Sequence, residues 1–456
     1  MFDISNAWSE KTKQAFIETF DRQTKTKHWQ MQQFRLLIIT QFFPPDYAAT
    51  GQLIHELAHQ LDEKKIKVKV FTGQPGYAFR QQKAPIREKF NNFVVQRSSF
   101  KQFCSKRIRS KTINGVIFAL TGAWHLLKNA RQHDAVILTT APPFLVIIGY
   151  LANLIFKLDY VCLVYDIYPD VIVRLGVISN KNLLSRLWHK VNHLVWQRSE
   201  KIIVLSDTMK QTIVARHPAI ADKISVIHNW ADPNWIEPLP KADNWFAHQH
   251  QTKDKFTVLY SGNLGHCHDL DTILNAAKLL KHEPIQFVFI GEGAKHLHCL
   301  SIVEEFELNN CRFLPFQERA NLPYSLTACD LALVSIAPGL EGTIAPSKVY
   351  GIMAAGKAIA AVCEPHSYLR QLIADANCGA AFNNNHSELL AEFILTLAAD
   401  AILASKMGNA GRNYLKNHFT PEIIAKQYFQ ALGIEMELEN SKLNTKISIP
   451  KITIIK

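Results

Sequence analysis

The sequence predicts an α/β protein built from two doubly wound parallel-sheet domains that face each other across a cleft. Short runs rich in β-branched residues alternate with helix-length amphipathic segments along nearly the whole chain. The alternation breaks once, over residues 230–255, in a stretch rich in Pro, Trp, Asp, His and Gln with little periodicity, and then restarts. At 456 residues the chain is long enough for two cores. The expected organisation is an N-terminal extension (1–33), a first domain (34–229), a linker (230–255), a second domain (256–432) and a C-terminal tail (433–456).

Taken in order, residues 1–33 are polar and mixed in charge. They lack the apolar run of a signal peptide, and a short helix is expected over 13–20. RLLIIT (35–40) reads as the first strand, and PPDYAATG leads from it into a helix. Strands follow at 67–73 and 93–99, then a helix over 111–130 and a strand at 135–140. The apolar run FLVIIGYLANLIFKL after Pro142-Pro143 is shorter than the roughly 20 residues that span a bilayer, so it reads as a buried or interfacial helix. A strand at 160–166 precedes helices near 183–198 and 206–216, which bracket the strand 201–206. A strand at 224–229 ends this half. The second half reads strand 256–262, helix 269–281, strand 285–291, helix 294–307, strand 311–316, helix 320–328, strand 331–337, helix 346–355, strand 358–363 and helix 367–374. Three more helices follow, at 387–398, 401–417 and 420–432.

Hydrophobic residues make up 48% of the chain and charged residues 20%, which excludes a disordered protein. None of the eight cysteines forms C-x-x-C, and several lie in apolar runs such as YVCLVY. Buried free thiols in a reducing compartment are expected, and the spacing excludes a zinc site. The net charge of +12 is unevenly spread, because from Lys89 up to Asp134 the chain carries cations and no acid. That basic stretch reads as a surface for anionic lipid or an anionic acceptor, or else as a solvated face. No basic motif interleaved with aromatics points to nucleic acid. A cytoplasmic protein is expected, peripheral at the inner face of the plasma membrane if the basic surface meets lipid.

The most informative stretch is SIAPGLEGTIAPSKVYGIMAAGKAIAA (335–361). A strand ends in a loop holding Gly339, Glu341, Gly342 and Thr343. Pro346, Ser347 and Lys348 then open a helix that closes at Gly356. Small residues, a hydroxyl and a cation at a helix start suit a phosphate or diphosphate, and equally describe an ordinary capped helix. YSGNLGHCHDLDTIL (260–274) is a strand, a Gly loop and a helix. Gly262 and Gly265 permit close backbone approach, Asn263 and His266 lie in the loop, and Asp269 reads as a helix cap. His268 is given little weight. FIGEGA brings a second such turn through Gly291 and Gly293. In the first half, Gly51 marks another candidate anion loop, though G-x-G-x-x-G is absent. Asp46 reads as a turn residue in preference to a ligand. DIYPD places Asp166, Tyr168 and Asp170 at the carboxyl end of a strand, where Asp166 can orient a hydroxyl or act as a base. Asp170 is balanced between that role and capping.

Together QFFPPDYAATGQLIHELA, YDIYPDVIVRLG, VIHNWAD, YSGNLGHCHDLDTIL, FIGEGA and GTIAPSKVYGIMAAGKAI resemble the retaining, nucleotide-sugar-dependent glycosyltransferases of family 4 over residues 34–432. The bacterial exopolysaccharide and O-antigen branch, with its colanic-acid-type enzymes, is the nearest likeness. The resemblance implies the GT-B fold, a UDP- or GDP-sugar donor in the second domain, and a lipid-linked or glycan acceptor on the first. It also implies no metal and no cofactor beyond the donor substrate. Its diphosphate would lie by Gly262, Gly265, Ser347 and Lys348, with Asp166, Lys348 and Glu341 as the catalytic set and no nucleic-acid partner. Three departures stand out. The family's E-x7-E pair falls on Thr343 and Gly351, with Glu341 the nearest carboxylate. The Arg and Lys that many members carry in the first loop of the second domain are replaced by Asn263 and His266. The histidine of the first domain is replaced by Tyr165. A nucleotide-sugar epimerase of the same fold and a non-catalytic assembly scaffold are the alternative readings.

Overall fold

The computed structural model describes residues 29–30, 34–46, 48–76, 84–90, 93–100 and 108–435. The helix expected over 13–20, the tail from 437, Cys104 and the cations Lys101, Lys106 and Arg107 lie outside them. The chain begins β1 (Trp29–Gln30), β2 (Arg35–Ile39), α1 (Ala49–Glu63), β3 (Lys67–Thr72), β4 (Arg87–Phe90), β5 (Phe93–Arg97), α2 (Ile108–Asn129) and β6 (Ala135–Thr139). It continues α3 (Val146–Phe156), β7 (Asp159–Val164), α4 (Asp170–Arg174), α5 (Leu183–Arg198), β8 (Lys201–Val204), α6 (Asp207–Arg216) and β9 (Ile224–Val226). These form an eight-stranded sheet in the order β4-β5-β3-β2-β6-β7-β8-β9, parallel except for the β4–β5 pair. Its central strands are covered on both sides. Ile38, Ile137, Leu138 and Leu163 are fully buried, which is why these runs are continuously apolar instead of alternating.

The second half holds α7 (Trp245–Gln249), β10 (Phe256–Ser261), α8 (Asp271–Leu279), β11 (Ile285–Ile290), α9 (His296–Glu305), β12 (Cys311–Leu314), α10 (Leu322–Thr327) and β13 (Leu331–Ser335). Then come α11 (Lys348–Ala354), β14 (Ala358–Val362), α12 (Tyr368–Ala376), β15 (Gly379–Phe382), α13 (Ser387–Ala399), α14 (Ala401–His418), α15 (Pro421–Ala431) and β16 (Ile434–Glu435). Six strands form a wholly parallel sheet in the order β12-β11-β10-β13-β14-β15. Strand order reverses between β2 and β6 in the first sheet and between β10 and β13 in the second. In open α/β sheets the crevice beyond the strand ends at such a reversal is where ligands bind. The loops after β10 and β13, singled out from sequence, flank the second reversal.

Two segments sit differently from the sequence reading. The latter part of the expected linker is docked on the second domain: Lys241 Nζ lies 2.7 Å from Asp330 Oδ2, and Asn244 Nδ2 donates to the Tyr324 carbonyl at 2.8 Å. Its lack of periodicity reflects short pieces anchored by polar side chains. Helix α15, counted with the second domain, packs on α1 of the first. Ile424, Tyr428 and Phe429 are buried there, and Tyr428 meets the Trp230 ring edge-on at 6.4 Å. The short parallel pair of β1 with β16 lies next to it. Amphipathic spacing shows that a helix has a face to bury, not which domain will bury it. Among the described cysteines Cys162, Cys299, Cys329, Cys363 and Cys378 are buried free thiols.

Because Tyr428 is 1% exposed, truncating it leaves a cavity under α15. Tyr428→Ala is expected to lower unfolding stability by about 3–5 kcal/mol, read as a lower urea midpoint. An unchanged midpoint would mean that α15 adds nothing to the first domain.

Candidate active site at the domain junction

The site is built from three loops at strand ends. Gly262 follows β10 with φ at +133°, a conformation that L side chains rarely adopt. Gly291 follows β11 at φ +132°, and a Cβ there would fall 2.1 Å from the Gly262 carbonyl oxygen. The two turns are knitted by backbone bonds from Leu264 N to Glu292 O (2.9 Å) and from Lys295 N to Leu264 O (2.8 Å). Gly293 is pressed on the Leu264 backbone, and Gly265 on the Asn263 side chain. Gly291 and Gly293 thus let two backbones touch, while Gly265 leaves room for the Asn263 side chain. Gly262 faces a side chain, because a Cβ on it would lie 3.3 Å from both Cε and Nζ of Lys348.

Lys348 begins α11, a helix of 7 residues. Its Nζ is buried, has no hydrogen-bond partner, and sits 3.6 Å from the centroid of the Tyr260 ring. Burial pushes its pKa down from the ordinary 10.5 to about 7. Beside it, His268 Nδ1 is 2.8 Å from the Ser335 carbonyl oxygen, which makes Nδ1 the protonated nitrogen. Burial, with Lys348 and Lys295 adding to it, lowers the His268 pKa to about 3, so the ring is neutral. A cation without a counter-charge, beside a glycine that leaves backbone bare, is a seat for an anion.

The same loop that delivers Lys348 reaches the first domain. Asp166 and Ile344 form an antiparallel bridge, and Ile167 N donates to the Thr343 carbonyl at 2.9 Å. Arg174 Nη1 donates to the carbonyls of Glu341 (2.6 Å) and Gly339 (3.1 Å). Glu341 is 2% exposed; its Oε1 accepts from Thr208 Oγ1 at 2.8 Å, while Oε2 has no partner. Gly342, at φ +72°, packs against Thr208 and Thr212 of α6. A cleft of about 540 Å³ opens here between Arg174, Thr208, Arg216, Glu341 and His366. Burial raises the Asp166 pKa to about 6, and the neighbouring Tyr168 hydroxyl is pushed up by burial and by Asp166. Away from the loop, Glu56 of α1 ties the domains a second time, accepting from Arg319 Nη2 at 2.7 Å and from Trp230 Nε1 at 2.8 Å.

With this geometry in view, the chain matches two family descriptions in succession. Residues 50–235 match "Glycosyltransferase Family 4" and residues 241–414 match "Glycosyl transferases group 1". The chain is a family 4 glycosyltransferase with the GT-B fold. It is 27% identical to the probable glycosyltransferase WbjE of Pseudomonas aeruginosa over 71% of this chain and 80% of that one. It is 25% identical to the putative colanic acid biosynthesis glycosyl transferase WcaI of Escherichia coli, over 50% of this chain and 56% of that protein. Among solved structures, sucrose-phosphate synthase of Thermosynechococcus elongatus superposes with a TM-score of 0.70 at 16% identity, covering 87% of this chain and 98% of that one. Anabaena HepE in complex with UDP and glucose gives 0.65 at 16% identity, covering 88% and 99%. Both likenesses are of fold.

The glycosyltransferase brings together Asp166, Glu341, Thr343 and the Ile344 backbone at the junction, and Gly262, Lys348 and His268 at the second-domain strand ends. Other sequence candidates serve the frame. The Thr343 hydroxyl is buried and donates to the Leu340 carbonyl, so it is closed to ligand; its carbonyl is what meets the first domain. Gly51 is the third residue of α1, where a Cβ would press on the Phe42–Phe43 backbone. The Asp46 carboxylate accepts from Gly76 N at 3.1 Å, which makes it a loop tie. Asp170 pairs with Arg216 at 3.1 Å. Asp269 accepts from Thr272 N at 3.0 Å, the capping role read from sequence. Asn263 and His266 are exposed, and Ser347 precedes α11 without capping it. Sequence reasoning undervalued His268, whose signal was its place directly before a buried capping Asp. It missed Thr208 and Arg174, polar residues on first-domain helices whose role depends on the partner domain.

The unpaired Lys348 cation predicts a trade of stability for binding. Its folded pKa lies below its unfolded value, so the unfolded chain holds more protons between about pH 7 and 10.5, and stability contributed at this position rises with pH across that window. Lys348→Met is expected to raise ligand-free stability at neutral pH by about 2 kcal/mol and to flatten that slope. Chemical denaturation of both proteins from pH 7 to 9 measures it, and parallel slopes would place the ammonium in water.

Proposed function

We propose that this glycosyltransferase moves a sugar from UDP- or GDP-sugar to a lipid-linked or glycan acceptor in the assembly of a bacterial cell-surface polysaccharide, with retention of anomeric configuration. The buried, unpartnered Lys348 ammonium beside Gly262 carries the reading. A leaving nucleoside diphosphate develops negative charge on its β-phosphate, and a pre-placed cation in a dry site stabilises that charge more than water does. In this reading Lys348 meets the β-phosphate, Gly262 gives the phosphate chain backbone access, and the Ser347 hydroxyl adds a donor. Asp166 faces the acceptor and orients its hydroxyl, and the free Oε2 of Glu341 receives a hydroxyl of the donor sugar. Asn263 and His266 stand at the exposed rim of the donor loop. WbjE and WcaI support the pathway, and HepE, solved with UDP-glucose, supports the donor class.

The first test is thermal-shift binding of UDP, GDP and ADP and their common sugars, without and with a divalent metal. One nucleotide is expected to raise Tm without metal, and Lys348→Ala to abolish the shift while still folding. A shift retained in Lys348→Ala would remove the lysine from the donor site. Once donor and acceptor are known, kcat/KM is expected to fall below about pH 6, as the Asp166 carboxylate takes up its proton. Asp166→Asn should lose that acid limb along with about a hundredfold in kcat. An unchanged pH profile in the Asn variant would assign the limb to another group.

A further inference from the structure

We infer that His55 and His59 of α1 form a two-histidine binding site for a divalent transition-metal ion of the zinc class, and that the site is not hydrolytic. The run His55-Glu56-Leu57-Ala58-His59 is an H-E-x-x-H sequence. On a helix this spacing puts both histidines on one face, where they can share an ion. Here the run lies in the middle of α1, a helix of 15 residues. The two Nε2 atoms face each other at 3.2 Å. Two nitrogens held at about 2.0 Å by one tetrahedral zinc ion stand about 3.3 Å apart, so the pair already has the spacing of a chelate. The rings are set by their neighbours as well as by the helix. They meet edge to face at 4.6 Å between centroids. Phe43 and Phe90 lie edge-on to the His55 ring at 5.3 and 5.5 Å, and Phe93 to the His59 ring at 5.0 Å. Ligands held in place by packing lose little freedom when an ion binds.

Without an ion, one ring donates its Nε2 proton to the other. An ion on both Nε2 atoms needs only that the donating ring carry its proton on Nδ1 instead, so both imidazoles stay neutral. Imidazole nitrogen selects zinc, copper or nickel over magnesium and calcium, which prefer oxygen. Among the described residues no cysteine takes part, and no third His, Asp or Glu joins the pair. Both histidines are half-buried, so water or an outside ligand can fill the remaining positions. The glutamate decides against hydrolysis. In metalloproteases of this pattern the Glu is the base that activates the metal-bound water. Both oxygens of Glu56 are instead committed, to Arg319 Nη2 at 2.7 Å and to Trp230 Nε1 at 2.8 Å. The pair shares no residue with the donor loops, and its test does not depend on the proposed donor.

The experiment is calorimetric titration of the full chain with Zn²⁺, in the wild type and in His55→Gln and His59→Gln. The wild type is expected to bind, and loss of either ligand should weaken that binding by at least the roughly tenfold that loss of a supporting partner costs. In the wild-type chain Zn²⁺ should also protect His55 and His59 from carbethoxylation, mapped by mass spectrometry, a readout that needs no variant to fold. Absence of zinc binding overturns the proposal. So does binding that leaves the pair unprotected, or that both folded variants retain, which would be an adventitious ion only. Peptide hydrolysis that needs zinc and is lost in Glu56→Gln would overturn it as well, by making the site catalytic.

Discussion

The loop between β13 and α11 is the constraint on which the rest of the structure depends. One end is pinned to the first domain by Ile167 N on the Thr343 carbonyl, by Arg174 on the Glu341 carbonyl and by Thr208 on the Glu341 carboxylate. The other end begins α11 with Lys348. Backbone groups that leave water at a domain junction must find partners, and here each domain supplies them for the other. Separating the domains would strand a buried carboxylate, so the junction and the ligand site form one mechanical unit. Closure at the junction and placement of the cation are set by the same run of about ten residues.

The Lys348 amine is a place where burial costs stability. A buried ammonium without a carboxylate is expensive, and the low pKa of Lys348 is the measure of that expense. Contact with the Tyr260 ring offsets part of it, because the face of an aromatic ring attracts a cation. On the proposed reading, the remainder is recovered when the donor diphosphate arrives. The neutral His268 fits the same logic: a second charge beside Lys348 would compound the penalty, and the bond to the Ser335 carbonyl fixes the ring with its proton on Nδ1. An anion site of this type binds tightly because its charge is already desolvated before ligand enters.

The fold was legible in the sequence because a parallel sheet buried on both faces writes itself as apolar runs separated by helical periods. The strands expected at 35–40, 135–140, 256–262 and 331–337 all lie in the two sheets. Lys348 and Gly262 were legible as well, since a Gly turn and a Pro-Ser-Lys helix start are local signals. What could not be read was anything fixed by the other domain. Thr343, placed by alignment where a ligand carboxylate is usual, keeps its hydroxyl for its own turn. Gly291 and Gly293 read from sequence as a Gly turn suited to lining a nucleotide pocket, and the structure adds that two backbones cross there. Glycine marks close approach without saying what approaches. Likewise the period of α15 could not reveal that its apolar face belongs to α1.

The exposed apolar side chains of α5 and the Asp166 loop lie on opposite sides of one helix. Tyr168 of the Asp166 loop stacks over Trp188 at 6.1 Å between ring centroids, and Asn192 Nδ2 donates to the Tyr168 carbonyl at 2.6 Å. The inner side of α5 therefore holds the loop that presents Asp166, while its outer side carries Leu187 and Leu194. A helix joined to both cannot move relative to one without moving the other, because its interior contacts are close-packed and its crossing bonds are direct. On the proposed reading, α5 therefore fixes the place at which an acceptor hydroxyl meets Asp166.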